Sequence, residues 1–177
     1  MSPDDPPEVG DAPPPDLHPR PGSPLGARTP ITTAEGLLAI KPVLVMADDH
    51  LDAVIRRAGA SPSTRVLGVV DSSGVLIGIV TSHDLVATVV GRLAPGALLT
   101  EIRDADGVQE FDRYVEATVA GDLMRPAAVL PRTATMAEAF RLMHVRGLSG
   151  VYVVDADGRP TGYVDGLELA AAVAAGG

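Results

Sequence analysis

The 177 residues are enough for one ordinary domain or two very small ones, and 46% hydrophobic residues can supply a core. Aromatics make up only 3%, so that core is aliphatic, and the lack of cysteine excludes disulfides, thiolate metal sites and cysteine nucleophiles. A net charge of −9, with Lys41 the single lysine, leaves no concentrated basic face for nucleic acid or an anionic membrane; no apolar run approaches the roughly 18 residues of a membrane span. A soluble cytoplasmic protein is the expectation.

Residues 1–30 carry 10 of the 16 prolines and five acids with almost no large apolar side chains. Such a segment buries too little surface to offset its ordering entropy, and is read as a disordered, solubilising tail. Residues 31–40 read as a short helical lead-in, and Pro42 to Val45 as a strand with proline at its first position. Asp49 and Asp52 suggest a helix cap, before Leu51, Val54, Ile55 and Ala58 at i, i+3, i+4, i+7. Val66 to Val70 and Val75 to Val80 are strands joined by a turn, Asp71 to Gly74, with glycine where positive φ is needed.

The second strand ends in Gly78-Ile79-Val80-Thr81-Ser82-His83-Asp84-Leu85, and Val86, Val89 and Val90 continue at helical spacing. This is a strand feeding directly into a helix, with Thr81 at the cap and Asp84 in the first turn. The free N–H groups of a helix start suit an anion; a hydroxyl and a carboxylate there could hold a phosphate and a ribose diol. The same two residue types also satisfy a helix cap without any ligand.

The order then repeats. Ala128 to Leu130 is a strand, Thr135 and Glu138 form a capping box, and Met136, Ala139, Phe140 and Met143 reproduce the first stripe. Val151 to Val154, the turn Asp155 to Gly158, Thr161 to Val164, and Leu169, Ala170, Val173 and Ala174 complete a second β-α-β-β-α unit. Between the copies, Leu98, Leu99, Ile102, Phe111 and Val115 suggest one or two packed helices.

Two such units, each with a Val-Val-Asp-x-x-Gly hairpin (Val69 to Gly74, Val153 to Gly158), resemble the cystathionine β-synthase (CBS) domain. The Gly78 to Asp84 junction and the lead-in Ala120 to Met124 match that family's motifs. The resemblance implies an α+β fold in which two repeats pack as a pseudo-two-fold module, of a stand-alone type with no effector domain. The divisions expected are 1–30 tail, 31–92 first repeat, 93–118 helical connector and 119–177 second repeat. It implies a homodimer that binds AMP, ADP, ATP or an adenosyl ligand and thereby regulates an unknown effector protein, without being catalytic. In one cleft, Gly78, Thr81, the N–H groups of Ser82 and His83, and Asp84 would meet Ala127, Leu148, Ser149 and Gly150, with Arg146 supplying positive charge.

The second cleft, with Lys41, Pro42, Thr64, Arg65 and Val66, departs from the pattern. Asp165 replaces the hydroxyl and Glu168 the aspartate. A carboxylate about 4 Å from a phosphate at an effective dielectric near 20 costs on the order of 4 kcal/mol, so this cleft is expected to reject a phosphate. Arg65 could pair with Asp165. One ligand per chain is the expectation. No triad, metal cluster or Walker-type loop argues for an enzyme; the rival reading is a ligand-free dimerisation or docking scaffold with degenerate clefts.

Overall fold

In the computed structural model, residues 26–36, 38–96 and 105–175 are described. The expectations for the tail before Gly26 and for Leu98, Leu99 and Ile102 fall outside them. The elements are α1 (Ile31–Glu35), β1 (Leu44–Met46), α2 (Leu51–Gly59), β2 (Val66–Val70), β3 (Leu76–Thr81), α3 (Ser82–Leu93), α4 (Ala105–Glu116), α5 (Ala120–Leu123), β4 (Val129–Pro131), α6 (Met136–Arg146), β5 (Gly150–Val154), β6 (Pro160–Asp165) and α7 (Gly166–Ala175).

Two three-stranded sheets result, ordered β1-β2-β3 and β4-β5-β6. In each, the first strand pairs parallel with the second and the second antiparallel with the third, with a bulge at Val69/Val70 and again at Val153/Val154. The two hairpin turns are built alike: Asp71 Oδ1 accepts from the Ser73 and Val75 N–H groups, and Asp155 Oδ1 from those of Asp157 and Arg159. Gly74 and Gly158 take φ of +83° and +78°, a region in which a Cβ is strained. The duplicated sequence therefore folds as two copies of one unit.

Each repeat is closed by a lead-in that packs against the other. Ile31, Ala34 and Leu38 are buried in the core of the second repeat with Met136, Ala139 and Leu169; Ala120 and Leu123 are buried in that of the first with Leu51, Val54 and Leu85. The hydrogen bonds are reciprocal, Ile31 N–H donating to the Ala134 carbonyl at 2.8 Å and Leu51 N–H to that of Thr118 at 2.9 Å. A third core joins the sheets through Val66, Ile79, Tyr152 and Tyr163. Tyr152 is fully buried there, its hydroxyl 2.9 Å from the Val43 carbonyl and 3.0 Å from that of Val66. Gly68 leaves the room the ring needs, since a Cβ there would stand 3.0 Å from Tyr152 Cζ.

Two local readings are corrected. The cap of α2 is His50, with no side-chain hydrogen bond, because Asp49 Oδ2 instead accepts from Met46 N–H at 2.9 Å. Phe140 is 39% exposed rather than part of the buried stripe, which consists of Met136, Ala139 and Met143.

Candidate functional site

The corner between β3 and α3 forms where an apolar strand runs into a hydroxyl. Thr81 Oγ1 accepts from Asp84 N–H at 3.1 Å, while Asp84 Oδ2 accepts from the Thr81 N–H at 3.2 Å and hydroxyl at 2.7 Å. The Ser82 N–H donates to the Arg65 carbonyl at 2.8 Å, extending the sheet, so it does not face an open anion site as expected. His83 is exposed on the first turn of α3.

The Asp84 carboxylate is wholly buried and tied to other elements. Arg125 donates to it from Nη2 at 2.7 Å and from Nε at 3.2 Å to each oxygen. The Tyr114 hydroxyl, on α4, lies 3.0 Å from Asp84 Oδ1 and 2.9 Å from Glu110 Oε1, so its single proton serves one carboxylate at a time. Glu110 Oε1 closes the ring, 3.0 Å from Arg125 Nη2 and 3.3 Å from Arg113 Nη2, and Arg113 Nη2 stands 3.6 Å from Asp84. Burial pushes the Asp84 carboxyl up, but the Arg125 and Thr81 hydrogen bonds with the Arg125 charge outweigh it and hold it below the usual aspartate range. Burial, then Glu110 and Asp84, push the Tyr114 phenol up to about 12. Hydrogen bonding to Asp84 holds the Arg125 guanidinium above its ordinary value.

Beside this ring opens a cleft of about 350 Å³ lined by Ile79, Arg113, Met124, Arg125, Pro126, Arg146 and Leu148. Three of these residues are arginines: Arg113 and Arg125 are paired with the carboxylates of Asp84 and Glu110, and Arg146 joins no ion pair among the described residues. Such a wall can hold a phosphate by charge and by paired N–H donors.

The corner between β6 and α7 differs. Asp165 Oδ1 accepts from the Leu167 and Glu168 N–H groups at 3.0 and 3.1 Å, but Oδ2 has no partner although the residue is 2% exposed. Glu168 does not complete a reciprocal cap; it accepts from the Ala39 and Ile40 N–H groups of the lead-in. Arg65 makes no ion pair with Asp165, which corrects the expected pairing. Nearby, a cleft of about 340 Å³ is lined by Lys41, Pro42, Ser61 and Thr64 among others, with Thr64 Oγ1 donating to the Lys41 carbonyl at 2.8 Å. Val66 is buried in the joint between the sheets.

Of the residues expected in the first cleft, Arg146 and Leu148 line it. Gly78 lies under the second lead-in, where a Cβ would collide with the Met124 side chain and approach the Arg125 carbonyl at 2.9 Å. Gly150 lies under the Tyr163 hydroxyl, Ala127 packs in the joint, and the Ser149 carbonyl accepts from Gly166 N–H at 2.8 Å. Sequence reasoning missed Glu110, Arg113, Tyr114 and Arg125. The available signal was Arg125 itself, the cation directly after the lead-in Ala120 to Met124.

The CBS domain family is matched at residues 35–91 and again at 120–175. Among solved structures, a CBS domain-containing protein from Thermotoga maritima superposes with a TM-score of 0.69 at 18% identity, over 86% of this chain and 99% of its own. CBSX2 in complex with AMP gives 0.60 at 23%, over 76% and 89% of the two chains; the CBSX2 protein is from Arabidopsis thaliana. A CBS domain pair in complex with 5′-methylthioadenosine and S-adenosyl-L-methionine gives 0.56 at 17%, over 80% and 94%. No curated protein matches the sequence. The two matched segments span more than half of the chain and coincide with the two folded repeats, so the protein belongs to the CBS domain family as a tandem pair.

Proposed function

We propose that this pair senses an adenine nucleotide (AMP, ADP or ATP) or an adenosyl metabolite in the cleft beside Asp84, and relays its occupancy to a partner protein. The observation that carries the reading is the wall of Arg113, Arg125 and Arg146 on that cleft. Likeness to CBS pairs in complex with AMP, with ATP or with adenosyl compounds supports the ligand class. The guanidinium groups, rather than the helix start, would hold the phosphate, and the apolar side chains of Ile79, Met124 and Leu148 would meet the adenine. CBS pairs are generally regulatory rather than catalytic, and the action proposed here is binding. A cytoplasmic homodimer is the form we expect.

The altered cleft would take no phosphate. At the β6–α7 corner Asp165 keeps a buried carboxylate oxygen without a hydrogen-bond partner, and no cation is paired with it among the described residues. The second reading, a ligand-free scaffold, is favoured by one specific observation: Asp84 is already satisfied by the protein's own groups. A thermal-shift panel of AMP, ADP, ATP, NADH and S-adenosylmethionine separates the two. A sensor gains about 2.7 kcal/mol from a ligand at a hundredfold its Kd; a scaffold responds to none of the five.

A further inference from the structure

We propose that Arg125 and Glu110 form a ligand-operated link between the cleft and α4, so that α4 carries the occupancy signal. The inference rests on the sensing function proposed above and names the regulation of that site. A carboxylate offers about four lone-pair positions. On Asp84, Thr81, Tyr114 and Arg125 already fill them, with Arg125 reaching both oxygens. A ribose diol can reach Asp84 only after Arg125 leaves, and the partner that draws Arg125 away is the ligand's own phosphate. Arg125 Nη2 is also the donor to Glu110 at 3.0 Å and lies 3.3 Å from the Tyr114 hydroxyl. Its departure therefore breaks the ion pair to Glu110 and takes one neighbour from Tyr114, two residues of α4.

Glu110 then keeps only Arg113, three residues along its own helix, as a counter-ion, and α4 has lost its ion pair to the segment that follows α5, which loosens the helix. Its other ties include its packing on α3 and the Tyr114 hydroxyl on Asp84. Val108 and Val115 are 45% and 36% exposed, and Tyr114 is its one large side chain in the buried core. Segments with few buried apolar contacts open at low cost.

Hydrogen exchange over residues 105–116, paired with calorimetry using AMP, tests this on the full chain. The expected result is faster exchange of that helix when AMP is bound. In Glu110→Gln, AMP binds about fivefold to tenfold more tightly, since one like charge is gone, and the exchange response disappears. Arg125→Gln speeds exchange of the helix with no ligand present. AMP binding that leaves 105–116 unchanged or better protected would overturn the inference while leaving nucleotide sensing intact. Unaltered exchange in Arg125→Gln would overturn it whether or not a nucleotide binds. A flat calorimetric trace instead sinks the AMP reading on its own readout.

Discussion

Gly78→Ala is the substitution that joins the fold most directly to the cleft. At this position in β3, an added Cβ would lie 2.9 Å from the Arg125 carbonyl and overlap the Met124 side chain. Met124 can change rotamer, but the carbonyl belongs to a backbone bridge: Ile79 N–H donates to it at 3.0 Å, and Arg125 N–H donates back to Ile79 at 2.8 Å. Restoring ordinary contact moves the Arg125 backbone by about half an ångström, taking both bonds toward the limit of useful geometry. Overpacking of this kind costs about 1–3 kcal/mol and the two weakened, unbroken bonds together up to about 1 kcal/mol, against a gain of about 0.5–1 kcal/mol from the stiffer unfolded chain. The net expectation is a loss of about 1–3 kcal/mol. With a urea slope of about 2 kcal/mol per molar, the unfolding midpoint falls by about 0.5–1.5 M. Gly59→Ala is the control: nothing lies within 4 Å of a Cβ there and the residue ends a helix, so its midpoint should hold or rise. A Gly78→Ala midpoint within about 0.2 M of the parent protein would refute the close-approach argument.

Three further perturbations follow from the same geometry. The depressed Asp84 carboxyl contributes stability that is present above the usual aspartate pKa near 4 and lost as pH falls through the lower folded value. Asp84→Asn should therefore be weaker than the parent by about 2–4 kcal/mol at pH 7, with the urea curves converging below about pH 4; a constant gap would count against the ion pair. The raised Tyr114 phenol works in the opposite sense, its contribution present below about pH 10 and lost as pH climbs toward about 12. Tyr114→Phe should lose less stability than the parent over that interval when circular dichroism is followed, and identical alkaline curves would contradict it. Tyr152→Ala removes the largest fully buried side chain, at the joint between the sheets, and should cost about 3–5 kcal/mol by urea unfolding. A loss below about 1 kcal/mol would mean that the joint does not depend on that ring.

The duplicated unit was legible because its signals are local. Apolar periodicity, the turn glycines at 74 and 158, and the Thr81 and Thr135 caps each depend on a few neighbouring residues. The ring around Asp84 was not legible, because its members come from three segments separated by 30 and 41 positions, brought together only by packing. The crossing of the lead-ins was hidden for the same reason: Ile31 and Leu38 read as part of the first repeat, yet their apolar faces are buried in the second. At the altered corner, charge substitution was readable, but the partners were not. Glu168 turns to the Ala39 and Ile40 N–H groups, and nothing in its spacing from Asp165 signals that choice.

Titration calorimetry with AMP, comparing the parent protein with an Arg113→Gln/Arg125→Gln/Arg146→Gln triple variant whose fold is checked by circular dichroism, tests the central claim most directly. The account predicts one AMP per parent chain, and an affinity at least tenfold lower once the three guanidinium groups are gone. Two equivalent sites per chain, or undiminished affinity in the folded triple variant, would contradict it.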